Sequence, residues 1–142
     1  EWVYLLETRT NAEYLHGVAQ INAVKGLILL PDNWLCPLGI CFKHGLYVGI
    51  NGYTNYAYHQ TFNLEQWSEM EQAGAVFLPA ADTRYSGVQV TSTEFGYYWT
   101  SSKKYSYQSY CLYFHAEELK ISFYQDNHIG SSVRLVKDVV TE

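Results

Sequence analysis

Three groupings in this chain carry side chains capable of chemistry. The first is Cys36 and Cys41, separated by four residues, with His44 following after two more. Thiolate and imidazole are zinc ligands, but a structural zinc needs four donors, and no second pair follows at a suitable spacing. The pair therefore reads as a short-loop disulfide or as two free thiols. The second is Gln125-Asp126-Asn127-His128, a cluster of oxygen donors with too few carboxylates for calcium. The third is Cys111, which has no partner cysteine near it in sequence. No phosphate loop, glycine-rich nucleotide fingerprint or nucleophile elbow occurs. The expectation is no catalytic residue, no metal and no cofactor.

Binding chemistry is another matter. Tyr97, Tyr98, Tyr105, Tyr107, Tyr110, Tyr113 and Tyr124 are seven of the chain's fourteen tyrosines. Ser, Gln, His, Lys, Glu, Asp and Asn lie between them. Tyrosine offers a large flat contact, a hydroxyl that donates and accepts, and few torsions to freeze, which is why antibody loops favour it. The candidate ligand-binding residues are Tyr105, Tyr107, Tyr110, Tyr113, His115, Lys120, Tyr124, Asp126, Asn127 and His128.

The elements that must position them follow from periodicity. Residues 1–9 place Trp2, Leu5 and Leu6 on one face of a short helix. Residues 17–23 and 26–30 read as two strands joined at Val24-Lys25, with Pro31-Asp32-Asn33 as a turn. Residues 46–50 read as a brief strand and 51–60 as a loop. Residues 63–74 form the clearest helix. Asn63 is its N-cap, Gly74 follows its C-terminus, and Leu64, Trp67 and Met70 make its buried stripe. Residues 75–79 are a buried strand, and 80–96 are mostly loop. Beyond Gly96 the period becomes two. Leu112 and Phe114 face inward, with Cys111, Tyr113 and His115 on the other side. Leu119, Ile121 and Phe123 alternate with Lys120, Ser122 and Tyr124, and Val133 with Leu135 repeats the pattern. The alternation aims Tyr113, His115 and Tyr124 outward. Tyr97 and Tyr98 read as scaffold and Trp99 as a core residue, and Arg84 and Arg134 read as structural guanidiniums tying carbonyls or a carboxylate together. The fold class expected is α+β, with two helices, a hairpin and a C-terminal antiparallel sheet.

Bulk composition narrows the partner. A net charge of −5, with nine scattered basic residues, disfavours nucleic acid and anionic membrane surfaces. No apolar run is long enough to span a membrane. At 142 residues the chain reads as one domain, and its start at Glu1 reads as excision from a longer protein.

Particular segments also resemble a known group. They are Trp2, Leu5-Leu6 and Arg9; Gly26-Leu27, Leu30-Pro31-Asp32 and Trp34; Trp67, with the run from Gly74 to Ala81, and Arg84; Gly96 to Ser102; Leu112 and Phe114; and Gly130 to Val136. Together they are similar to the major paralogous domain of Bacteroides-type gut bacteria and their phages. The resemblance covers nearly the whole chain. It implies a C-type-lectin-like fold, related to that of formylglycine-generating enzymes, and it includes variable proteins of diversity-generating retroelements. In those proteins Asn codons are rewritten at adenines, yielding Tyr, His, Asp, Ser, Cys, Phe, Ile or Gly. Fourteen positions here fit that menu, among them Tyr105, Tyr110, Cys111, His115, Tyr124 and His128. Lys103, Lys104, Gln108, Glu117, Glu118 and Lys120 need other template codons.

What the resemblance implies is a receptor- or adhesin-type module with residues 103–131 as its variable region. The partner would be a protein or glycan on another cell surface, and the setting extracellular, on a bacterial surface or phage virion. The parent protein could be oligomeric, adding avidity. A non-diversified adhesive or structural domain is the alternative. A formylglycine-generating-type oxidase is disfavoured, because those relatives use a pair of active-site cysteines.

Overall fold

The computed structural model describes residues 1–44, 60–89, 93–116 and 118–134. The expected strand at 46–50, the loop at 51–59 and the alternation at Leu135 lie outside the described residues. Among the described residues the fold is α+β: one nine-residue helix, short helical turns and three antiparallel-rich sheets.

The N-terminal residues do turn, but as a π-helical turn at Tyr4–Thr8 followed by a 3-10 turn at Ala12–Tyr14. Arg9 locks both against the sheet. Its guanidinium donates to the carbonyls of Leu5 (2.7 Å), Leu30 (2.9 Å) and Leu15 (3.1 Å), and reaches Asp32 at 3.0 Å. This is the structural arginine of the fold. Arg84 and Arg134, for which that role was expected, are exposed.

Strands β1 (His16–Ile21) and β2 (Val24–Leu29) form a hairpin. Its turn is Asn22-Ala23 rather than Val24-Lys25, with φ of +46° and +67°. Two successive left-handed residues make the mirror-image turn that matches strand twist. β3 (Thr61–Phe62) joins β1 in parallel, and β4 (Val76–Pro79) joins β2, giving the order β3-β1-β2-β4. Gly26 is required where β2 meets β4, because a Cβ there would strike the Leu78 carbonyl and the Phe77 ring.

Helix α1 (Leu64–Gln72) starts as its sequence dictates. Asn63 Oδ1 accepts from Gln66 N, and Gln66 Oε1 accepts from Asn63 N, a reciprocal capping box. Gly74, at φ +96°, closes it: Gly74 N donates to Glu71 O and Ala75 N to Met70 O. Met70 is fully buried and Trp67 half-buried, but Leu64 is 61% exposed, so the buried stripe is shorter than its spacing implies.

The segment expected to be loop contains a small hairpin, β5 (Arg84–Tyr85) and β6 (Val88–Gln89). The last sheet is β7 (Gly96–Tyr105), β8 (Gln108–His115) and β9 (Glu118–Asp126), in that order. Its third strand is therefore Gly96–Tyr105, which opens the tyrosine tract, and Val133, expected in that third strand, lies outside it. Val133 is 64% exposed, and its neighbour Ser132 makes only a single parallel bridge to Tyr98. One buried cluster joins Leu6, Leu27, Leu78, Tyr98, Leu112 and Phe114 across the two larger sheets. A second packs Ile28, Phe62 and Met70 under the helix.

Candidate ligand-binding surface

The β7-β8-β9 sheet outruns the core beneath it. Along β7, burial falls from Gly96 and Tyr98 to the exposed Ser101, Ser102 and Lys103. On β8, Cys111, Leu112 and Phe114 are buried, while Gln108, Ser109 and Tyr110 are only partly covered. The sheet thus has a proximal half that packs and a distal half that stands clear.

Register decides which side chains share a face. Tyr97 lies opposite Tyr113, and Cys111 opposite Phe123. Between Cys111 and Tyr113, β8 advances two residues while β9 runs from Phe123 to Lys120, three residues. That bulge breaks the alternation of β9. Leu119 and Ile121 stay against the core, but Phe123 crosses to the side of Tyr113, and Tyr124 falls opposite Tyr110 on the core-side face. The expectation that Phe123 faces inward and that Tyr124 shares a face with Tyr113 is corrected accordingly.

On the proximal outer face five rings contact one another. Tyr113 lies 4.9 Å from both Tyr97 and Phe123, with Phe95 and His115 completing the group at 6.3 and 5.6 Å. All five are half-buried. Burial pushes the Tyr97 phenol up to about 12 and raises Tyr113, helped by the nearby Glu118 carboxylate. Glu118 is itself held low by Lys120, with which it pairs, and it lies 3.7 Å from His115. Cys111, expected outward beside Tyr113, is fully buried, and Gln125 Nε2 reaches its sulfur at 3.7 Å. Burial pushes this thiol up to about 11, so at neutral pH it is protonated and a weak nucleophile.

The distal half carries the exposed rings. Tyr105 and Tyr107 stack at 6.0 Å and are 55% and 62% exposed. Tyr124 is 43% exposed, and the Lys104 ammonium lies 2.9 Å from its ring centroid. The polar residues beside them hold the platform together. Asn127 N donates to Tyr107 O, Asn127 Nδ2 to Ser106 O, and Ser109 Oγ to Asn127 Oδ1. Gln108 Nε2 donates to Asp126 Oδ1. His128 meets the Tyr85 ring edge-on at 5.6 Å.

The ten predicted site residues therefore fall into three groups. Tyr113, His115 and Lys120 lie on the proximal outer face. Tyr105, Tyr107, Tyr110 and Tyr124 lie at the distal end. Asp126, Asn127 and His128 tie the end of β9 to the β7-β8 turn and to β5. Sequence reasoning missed Lys104, whose adjacency to Tyr105 was the available signal, and Phe95, Tyr97 and Phe123 as part of the outer ring cluster. Tyr98, expected in the scaffold, takes the core position that was expected of Trp99. Tyr98 lies opposite Leu112, its hydroxyl donates to Pro79 O at 2.8 Å, and burial pushes it up to about 12. Trp99 is half-buried.

Cys36 and Cys41 are exposed and unbridged, with Cys36 Sγ directed to the Ile40 carbonyl at 3.1 Å. Among the described residues no three His, Cys, Asp or Glu side chains converge. Comparison of the chain with protein-family models, with curated proteins and with solved structures returned no match.

Proposed function

We propose that this chain is a ligand-binding module of receptor or adhesin type on a C-type-lectin-like scaffold, with residues 103–131 as a diversified surface like that of retroelement variable proteins. The reading rests on one observation: the distal half of β7-β8-β9 is geometrically fixed yet free of packing duty. Backbone pairing and the Asn127, Ser109 and Gln108 bonds hold its shape. Meanwhile Tyr105, Tyr107 and Tyr124 present their rings to solvent. Exposed aromatic clusters of this kind supply the anchors of protein interfaces. Substituting them changes what is bound without changing what holds the fold.

The ligand is a protein or glycan on another cell surface, met by a module displayed on a bacterial surface or a virion. Neither metal nor cofactor is required. Oligomers of the parent protein add avidity to individually weak sites.

Two measurements test this. Sequencing the locus across one population should show substitutions concentrated in codons 103–131, at adenines. An even spread along the chain overturns diversification. Replacing Tyr105, Tyr107 and Tyr124 by Ala should abolish adhesion to the target cell surface while changing stability by less than about 0.5 kcal/mol per site, as for substitutions remote from a core. Retained adhesion, or a collapse in melting temperature, refutes the assignment of these rings to a binding surface.

A further inference from the structure

Where the β5-β6 hairpin meets the segment after β9, Ala81, Asp82, Arg84, Gly130, Ser131 and Ser132 line a cavity of about 300 Å³. That volume is at the lower end for a small-molecule site. Backbone bonds fix its walls. Arg84 and Gly130 exchange two N–H···O bonds of 2.7 Å, Asp82 N donates to Phe95 O at 2.8 Å, and Ser132 N donates to Tyr97 O at 2.9 Å. Two groups in it lack the partners that burial demands. Asp82 is 7% exposed, yet no Lys, Arg or His among the described residues pairs with its carboxylate. Its Oδ1 accepts from Thr83 N at 2.8 Å, and its other oxygen has no partner among the described residues. Ser131 Oγ is buried and makes no hydrogen bond. A buried charge without a counter-charge and a buried hydroxyl without a bond both cost free energy, and such groups call for an occupant. Arg84 is exposed, and no carboxylate among the described residues pairs with it, although it stands only two residues from Asp82. The backbone bonds of residues 82 and 84 to different neighbours hold the two charges apart.

We infer that this cavity binds a small zwitterionic α-amino acid. An α-ammonium has three donors, which suit the free Asp82 oxygen and Ser131 Oγ. An α-carboxylate on the same carbon suits the planar fork of Arg84, which pairs such groups through two parallel bonds. A simple cation leaves the guanidinium unmatched beside it, and a simple anion leaves Asp82 buried without a counter-charge. A ligand that carries both charges answers both. Of the lining residues only Gly130 and Ser131 fall within 103–131, and none of the exposed tyrosine rings takes part. The site therefore stands independently of the tyrosine surface.

Amide spectra of the ¹⁵N-labelled protein provide the test, with glycine as the probe. Glycine should shift the Thr83, Ser131 and Ser132 signals saturably. Methylamine and acetate each carry half of its charge pair and should bind at least about tenfold more weakly, the worth of one charge-assisted hydrogen bond. Asp82→Asn keeps the oxygen that accepts from Thr83 N and tolerates the left-handed φ of +53°, so the fold should stand while glycine affinity drops to that of acetate. Arg84→Gln, on an exposed side chain, should lower it to that of methylamine. Tyr105→Ala with Tyr107→Ala should leave glycine binding unchanged. The inference is overturned if glycine gives no saturable shift, which leaves water as the occupant. It is also overturned if methylamine or acetate binds as tightly as glycine, or if Arg84→Gln tightens glycine binding, which would show the guanidinium merely neutralising Asp82.

Discussion

Replacing Arg9 by Met removes five donors while keeping most of an apolar stem of similar reach. The side chain is only 4% exposed, so water cannot substitute for the bonds lost. The Leu5 and Leu30 carbonyls, bonded at 2.7 and 2.9 Å, lose their guanidinium donor. The Leu15 carbonyl keeps a second donor, Leu30 N at 2.9 Å, and suffers less. At about 1–3 kcal/mol per buried group left unsatisfied, the loss sums to about 3 kcal/mol. An unfolding entropy of roughly 2 cal/mol/K per residue gives about 0.3 kcal/mol/K for this chain, so the midpoint should fall by about 10 °C. Asp32 provides the control. Its side chain is 66% exposed, so Asp32→Asn should cost less than about 1 kcal/mol, the usual worth of a surface ion pair. Circular dichroism melts and urea titrations of both variants measure the difference. If Asp32→Asn is as damaging as Arg9→Met, the ion pair carries the stability and the carbonyl argument is wrong.

Three further outcomes are expected. Ala23→Gly, at φ +67° in the β1-β2 turn, should stabilise by about 1 kcal/mol by relieving a left-handed non-glycine residue; a lower melting temperature refutes this. Iodoacetamide at pH 8 should label two thiols in the native protein, Cys36 and Cys41, and a third only after denaturation, since Cys111 is buried and pushed up to about 11. Tyr98 is raised in the fold from its ordinary value of 10 to about 12, so folding favours the neutral phenol. The stability this contributes is complete below pH 10 and is lost as pH rises toward 12. Tyr98→Phe, which forfeits a bond of about 1 kcal/mol to Pro79 O, should melt lower at pH 7 yet lose less stability between pH 10 and 12. An unchanged alkaline slope counts against burial of this phenol.

Local rules read α1 well because every determinant is local: the Asn63 cap, the Gln66 return bond and Gly74 lie within one short segment. Strand β8 was legible for a related reason, since Leu112 and Phe114 alternate over a real core. Strand β7 is not legible as the third partner. Its second half passes beyond the core, where both faces are polar and periodicity carries no signal. The turn at Asn22-Ala23 lacks the glycine that marks such turns, so the sequence pattern points two residues further on, to Val24-Lys25. The side of Phe123 and Tyr124 depends on a bulge, which is a property of two strands together and is invisible in either alone. At the site itself, residue type announced the tyrosines, but only three-dimensional register could separate ring-cluster members from exposed ones.

The β9 bulge has a consequence for how such a surface can change. Upstream of it odd-numbered residues such as Leu119 and Ile121 serve the core; downstream an odd-numbered residue, Phe123, serves the outer cluster. Any point substitution leaves this parity intact, whatever residue it introduces. One codon gained or lost between Leu119 and Tyr124 inverts it, exchanging the two sides of the strand for every position that follows. Chain length here, more than residue identity, thus sets which side of the sheet each later position of β9 faces.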